Sequence, residues 1–442
     1  QRQMCIRDRY EVVSSTGGDS LVTRFGMREF RFDTATRRAW LNGKVYFMRG
    51  SNITLHRFFE DPVSRALPWD EAWVRRLLVD IPNDLHWNSF RFCIGPVPDR
   101  WFEIADEAGL LIQNEFFIWT GAPAWDPGYS REWDPEEMVR QYSDWVRDHW
   151  NHPSVAIWDA NNESLDPIFE ETIIPAVRLL DLSNRPWENS YNQPVAPDDP
   201  IEDHPYLYSG YYWGQPFDLT DLERRTGSPK APPKAARAMI LNEYGWIWLR
   251  RDGEPTVLTQ RVYDDLLGPD ATAEERFELN GYLQGALTEH WRAHRNYAAI
   301  LHFVYLMSSF PGVITADHFQ DVAALELEPH FADYMGEAMK PLGVYINFFQ
   351  PTLAPGQGRS YRIMMVNDAY EEESGELVLS WHDADGGEVR RASVPISIGP
   401  LGTLSRDLER EAPSIPGEYL LKATATTPAG STLSRRKVTI EN

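Results

Sequence analysis

The chain has 442 residues, 42% hydrophobic and 25% charged, an ordinary composition for a globular protein. Lys and Arg number 43 against 66 Asp and Glu, and the net charge of −23 argues against nucleic acid or an anionic membrane surface as partner. Two cysteines, Cys5 and Cys93, exclude a disulfide framework or a cysteine-built zinc site, and no apolar run is long enough to span a bilayer.

Gln1 to Arg9 lacks the apolar middle of a signal peptide and has no periodicity. It reads equally as a frayed terminus or as a non-native run. Tyr10 to Phe32 alternates weakly about a Gly17-Gly18 turn, and Phe25 to Phe30 is predicted to be a strand. Asn42-Gly43 between Leu41 and Lys44 marks a hairpin. Strands then alternate with helices. Phe47 to Asn52 is a strand, Trp73 to Leu78 a helix, and Ser89 to Cys93 the second strand. Pro98 to Ala108 is a helix stopped by Gly109, and Leu110 to Glu115 is the third strand. Asp134-Pro135-Glu136-Glu137 starts a helix whose core face carries Met138, Tyr142, Trp145 and Val146. That helix feeds a fourth strand, Ser154 to Trp158. Later strands are expected at Trp187 to Tyr191, near Tyr206 to Tyr212, before Glu243, and at Ala299 to Phe303. Gln193 to Asp203, rich in Pro and Asp, reads as a mouth loop. Thr272 to His294 and Glu328 to Met339 read as helices. Such alternation implies a parallel α/β architecture. From Gly343 the pattern becomes all-β, with strands at Tyr361 to Val366, Gly375 to Trp381, Tyr419 to Ala425 and Arg435 to Ile440, as in a β-sandwich.

Two of the predicted strands end in a carboxylate. The run through Trp158 stops at Asn161-Asn162-Glu163, and Ala238 to Leu241 stops at Asn242-Glu243-Tyr244-Gly245. Polar groups at the C-terminal ends of parallel strands are where α/β folds place chemistry. Two carboxyl groups suit a reaction that needs one acid and one nucleophile or base, and glycoside hydrolysis is one.

Asn151-His152-Pro153-Ser154-Val155, Asn162-Glu163 and Glu243-Tyr244-Gly245, in this order, resemble glycoside hydrolase family 2, the β-galactosidase, β-glucuronidase and β-mannosidase family. The resemblance implies a (β/α)8 barrel over 41–345, followed by an immunoglobulin-like β-sandwich over 346–442. It makes 1–40 the remnant of an upstream immunoglobulin-like domain, and the chain a fragment lacking the front of such enzymes. It implies a retaining exo-β-glycosidase with Glu163 as acid/base and Glu243 as nucleophile, acting on an oligosaccharide or glycoside without cofactor or metal. By position it makes Asn162 a ligand of the sugar hydroxyl beside the anomeric carbon, and Arg91 the residue that orients the nucleophile. Tyr211 or Tyr212 falls where relatives carry a tyrosine touching that nucleophile.

Asn52 ends the first strand and is read as a ligand; His56 follows it as either a ligand or a structural residue. Asn114 ends the third strand beside Glu115, which is as readily structural. Trp246 and His302 are pocket walls or core. The strand-one loop Ile53-Thr54-Leu55 lacks the Arg-His-Glu of the galactosidase branch, and Thr315 to Gln320 lacks the glucuronidase Asn-x-Lys. Gln113-Asn114-Glu115 and Glu243-Tyr244-Gly245-Trp246 lean toward the mannosidase and exo-glucosaminidase branch, and the sugar stays open. So do oligomeric state and compartment. The competing readings are a non-catalytic carbohydrate-binding protein and an inactive fragment on the same scaffold. A retaining pair requires the two carboxyl groups about 5–5.5 Å apart at one face of the barrel.

Overall fold

The computed structural model describes residues 9–120, 133–226 and 237–442. Cys5 and most of the Gln1 to Arg9 run lie outside them. Eight parallel strands form one sheet: β1 (Met48–Ile53), β2 (Ser89–Phe92), β3 (Leu111–Glu115), β4 (Val155–Asp159), β5 (Trp187–Glu188), β6 (Ile201–Asp203), β7 (Met239–Leu241) and β8 (Ala299–Leu306). Their order is β5-β4-β3-β2-β1-β8-β7-β6, so the sheet rolls into a nearly closed (β/α)8 barrel with its seam between β5 and β6. Side chains bridge the seam, where Ser190 donates to Glu202 at 2.7 Å.

Helices cover the barrel, and side-chain caps start two of the longest. Asp134 accepts from the backbone of Glu136 and Glu137 to start Pro135–His149. Thr272 and Glu275 form a reciprocal capping box at the head of Ala273–His294. Asp99–Ala108 ends at Gly109, whose φ of 72° is left-handed. The strands are buried on both faces, as a barrel sheet must be, and read as nearly unbroken apolar runs for that reason.

The short strands before the barrel close its lower end. Phe30–Asp33, Arg38–Leu41 and Lys44–Tyr46 form one antiparallel sheet. Its Phe30, Phe32 and Leu41 pack with Ala156, Ile157 and Ile240 from beneath the barrel floor. The single strand expected from Phe25 to Phe30 is instead two. Asp19–Gly26 pairs with Arg9–Thr16, and Phe30 begins the floor sheet after the three-residue break at Met27, Arg28 and Glu29. The strand expected near Tyr206 to Tyr212 is also corrected. β6 lies earlier, inside the stretch expected to be a loop, and Ser209–Tyr212 is a helical turn. β6 is only three residues long, too short to display a period, and its Glu202 and Asp203 concealed it.

After the barrel come two sheets facing one another. One joins Leu342–Ile346, Gly358–Asn367 and Thr403–Glu411; the other joins Thr352–Leu353, Gly430–Ile440, Gly417–Thr427, Glu373–His382 and Glu388–Ile398. Tyr361, Ile363, Leu379, Trp381 and Leu421 fill the space between. Asp368 fastens this sandwich to the barrel. Its buried carboxylate meets Arg49 of β1, Arg292 and Arg295, with Arg292 at 2.8 Å.

Burial works against the charge of Asp368, but the three arginines outweigh it and hold its pKa far below the ordinary carboxylate range. A depressed folded-state pKa contributes stability that is complete above the unfolded value of about 3.9 and fades as pH falls below it. Asp368→Ala leaves three cations facing no carboxylate at this point, and it should cost about 3–5 kcal/mol at neutral pH. Denaturant unfolding checks this: the gap between wild type and variant should shrink as pH falls below about 4. A midpoint that the substitution does not move would contradict the arrangement.

Candidate active site

The C-terminal ends of the strands converge on a cavity of about 690 Å³. Its floor is polar, with Asn162, Glu163, Glu202, His204 and Glu243. Its walls are aromatic, with Trp119, Tyr191, Tyr206, Trp213, Trp246, Trp248 and Phe303. Aromatic faces beside a few convergent polar groups suit a ligand that has both apolar faces and hydroxyl edges.

Arg91, at the centre of β2, lies in register with Asn52 of β1 and Gln113 of β3. Fully buried, it points toward the ends of four other strands. Its Nη1 donates to Glu243 at 2.6 Å, its Nε to Asp159 at 3.0 Å, and its Nη2 to Asn162 at 2.9 Å while also pairing with Glu115. Gln113 adds a 2.8 Å hydrogen bond to Asp159. Burial first, then the negative charge of Asp159, pushes Glu115 well above the ordinary carboxylate range, against the pull of Arg91. Burial thus favours the neutral form of Glu115 even though Arg91 touches it.

Glu243 stands two residues past the end of β7, after Asn242. Besides Arg91 it meets the Tyr206 hydroxyl in a short hydrogen bond and the Cys93 thiol at 3.8 Å. Gly245, two residues on, has a φ of 125° that a side chain would strain. Glu163 stands opposite, with a φ of 43° unusual for a residue bearing a Cβ. Its Oε1 accepts from the Tyr191 hydroxyl at 3.0 Å and from His204 Nδ1 at 2.9 Å.

His204 joins the two sides. Its Nε2 donates to Glu202 at 3.0 Å, and Nδ1 also stands 3.7 Å from Glu243. Burial disfavours its charge, but Glu202, Glu243 and Glu163 outweigh burial and raise its pKa well above the usual value. The imidazolium in turn governs its neighbours. Burial favours a neutral Glu163, yet the hydrogen bond and charge of His204 lower its pKa. Glu202 is likewise brought down to about 2 despite its burial. For Glu243 burial prevails, helped by the charge of Glu163, and its pKa is raised against the pull of His204 and Arg91. Each of Glu163, His204 and Glu243 offers a ligand atom within 4.8 Å of the others, a spacing that could hold a cation. The same three groups pair with one another, His204 with Glu163 at 2.9 Å and with Glu243 at 3.7 Å.

Of the residues singled out in the sequence, Glu163, Glu243, Asn162 and Trp246 line the cavity and Arg91 lies directly behind it. The others stand elsewhere. Asn52 donates to the carbonyls of Asn242 and His302, bracing strands beneath the floor. Asn114 is buried between β2 and β4. His302 is buried with Ser51 and His318 at its two nitrogens, and the next residue, Phe303, faces the cavity instead. His56 is half-buried off the lining, where burial brings its pKa down to about 4. Tyr211 donates to the Phe217 carbonyl and Tyr212 faces solvent, so neither meets Glu243. Tyr206 does, and with Tyr191, Glu202 and His204 it went unnoticed in the sequence. The available signal was His204-Pro205-Tyr206, directly after the short strand β6.

The model of the family described as "Glycosyl hydrolases family 2, TIM barrel domain" matches residues 34–253. A β-mannosidase of Bos taurus is 30% identical over 194 residues, 40% of this chain and 21% of the relative. A β-galactosidase of Streptococcus thermophilus is 27% identical over 206 residues, 44% of this chain and 17% of the relative. The solved exo-chitosanase of Amycolatopsis orientalis superposes with a TM-score of 0.64 at 15% identity, over 98% of this chain and 54% of that one. The matches thus span about a fifth of these curated relatives and about half of the solved structure.

Arg91 is the cation on which the buried carboxylates depend. Arg91→Met should therefore destabilise the fold by about 3–5 kcal/mol, as breaking a buried pair on one side does. Denaturant unfolding of the purified variant reads this; a loss below about 1 kcal/mol, the level of an exposed ion pair, would contradict the central role.

Proposed function

Because the chain belongs to glycoside hydrolase family 2, we propose that it hydrolyses terminal β-linked sugars by double displacement, with Glu243 as nucleophile and Glu163 as acid/base. One observation carries the reading. A carboxylate oxygen of Glu163 and one of Glu243 stand within 4.8 Å of each other across an aromatic cavity at the C-terminal end of the barrel. Retaining pairs have carboxyl groups about 5–5.5 Å apart, whereas inverting pairs leave about 6.5–9.5 Å for a water.

In this reading Arg91 and Tyr206 hold the Glu243 carboxylate by its two oxygens and aim it at the anomeric carbon. Asn162, held by Arg91 through its Oδ1, presents its amide to the sugar hydroxyl next to that carbon. Glu163 protonates the departing oxygen and then takes a proton from the water that releases the sugar. The proton it needs is stored by Glu163 and His204 together. They share a 2.9 Å hydrogen bond and titrate as one unit. The unliganded pair keeps this proton on His204, so Glu163 need not be a raised-pKa acid before substrate arrives.

Azide separates the two roles. Glu163→Ala should lose about 10²–10⁴-fold on glycosides with poor leaving groups, keep turnover on activated aryl glycosides, and yield β-glycosyl azide with azide present. Glu243→Gln should lose turnover on both, and azide should not restore it as the β-product. The opposite pattern would reverse the roles.

His204 is tested by the pH profile. In His204→Asn the charge that opposes protonation of Glu243 is gone, so the pKa of Glu243 climbs further and the acidic limb of kcat/KM moves to higher pH. The stored proton then sits on a carboxylic acid instead of an imidazolium, so the alkaline limb moves to lower pH. The bell should narrow from both sides. Limbs that stay in place would show that His204 is only structural.

A further inference from the structure

We infer that Arg57 reads an anionic substituent, a carboxylate or a sulfate, on the glycoside that enters the cavity. The inference takes its substrate from the glycosidase reading above and its charge from the geometry of Arg57. Arg57 belongs to the turn Leu55–Phe58 after β1, and its half-buried side chain lines the cavity. The guanidinium carbon sits 5.5 Å from the centroid of the Trp119 ring. The backbone of Trp119 is bridged to Asn162, the residue before Glu163, which places the cation on the wall that carries Glu163.

Among the described residues Arg57 meets a ring but no anion or carbonyl, and this sets it apart. In a chain with a net charge of −23, half-buried arginines find carboxylates readily. Arg178 meets Asp199, Arg251 meets Asp61 and Asp317, and Arg295 meets Asp368. Those without a carboxylate, such as Arg237, donate to backbone carbonyls. The side chains of Arg225 and Arg359 make no hydrogen bond among the described residues, but each has a carboxylate nearby, Asp221 at 3.9 Å and Glu223 at 3.8 Å. Arg57 alone among the described half-buried or buried arginines has neither a carboxylate within 4 Å nor a carbonyl acceptor. Five donors in a rigid fork are therefore left facing a cavity whose other charged groups are Glu163, Glu202, Asp203, Glu243 and the imidazolium of His204. A partly desolvated cation gains most from an anion, and the planar fork matches the paired oxygens of a carboxylate or sulfate. A neutral sugar would leave it unmatched. The ring of Trp119 fixes the guanidinium in position, so little freedom is lost when the anion docks.

Matched pairs of aryl β-glycosides test this. In gluco, galacto and manno configurations, each neutral glycoside is set against its uronide and its 6-sulfate, and kcat/KM is read for each. An anionic member should exceed its neutral counterpart by about tenfold to a hundredfold, and the uronide and sulfate arms distinguish the two anions. Arg57→Ala should collapse that ratio, while Arg57→Lys, which keeps the charge but loses the fork, should preserve part of it. Calorimetric binding of the corresponding free sugars to wild type and both variants reads the charge preference without catalysis. Arg57-dependent binding of acidic sugars in a protein that cleaves no glycoside would sink the glycosidase reading and keep this one. Equal or better use of neutral sugars, with a ratio that Arg57→Ala does not change, would overturn it.

Discussion

A single buried guanidinium is what the carboxylate network behind the cavity is arranged around. Arg91 enters the barrel interior from β2 and donates to groups carried by β3 and β4 and by the segments after β4 and β7. Two carboxylates and one amide of the cavity layer take their positions from its fork. The geometry is forced by the barrel itself. In-register pairing of β1, β2 and β3 places Asn52, Arg91 and Gln113 at one level, so the hydrogen bonds radiate across a common layer. A lysine could supply the charge there but not the several fixed directions.

Around this layer the acidic chain manages its own repulsion. Glu115 and Glu188 are pushed by burial, and then by neighbouring carboxylates, toward the neutral form. Closer to the cavity the solution changes. Glu202 and Glu163 stay ionised because the imidazolium of His204 lies between them. The two halves of the site therefore carry different cations, Arg91 on the side of Glu243 and His204 on the side of Glu163. Fixed charge steadies one carboxylate, and a removable proton serves the other. The same logic recurs far from the cavity, where Asp368 gathers three arginines to seat the C-terminal sandwich on the barrel.

The sequence made some of this legible and hid the rest for physical reasons. Long elements with side-chain caps declared themselves, as Asp134 and Thr272 did for the helices they start. The strands ahead of Glu163 and Glu243 could be read because burial on both faces requires apolar runs. β6 could not, because three residues carry no period and two of them are acids serving the seam and the site. The tyrosine expected to meet Glu243 therefore falls at Tyr211 or Tyr212 in the sequence reading, whereas Tyr206 makes that contact. Asn52 and His302 illustrate a second limit. Side chains alternate in direction along a strand: His302, in register with Ser51, turns toward His318 and Phe331 of the helix Pro329–Met339, whereas Asn52, one residue past Ser51, turns the other way and is taken up by the carbonyls of Asn242 and His302. In the sandwich, Glu388–Ile398 and Thr403–Glu411 do not stand out in the sequence, because one face of each is solvated and its charges mask the alternation.

The proposed double displacement requires Glu243 to form a covalent bond to the sugar while Glu163 handles protons. Trapping that intermediate is the most direct measurement. A panel of 2-deoxy-2-fluoro β-glycosyl fluorides, chosen across neutral and acidic sugars, would be incubated with the protein. Intact mass would then be recorded and the labelled peptide sequenced by fragmentation. Double displacement through Glu243 gives one added glycosyl group, located on Glu243, from at least one member of the panel. A label on Glu163, or hydrolysis of the matching substrate with inverted configuration and no label on any residue, would contradict it.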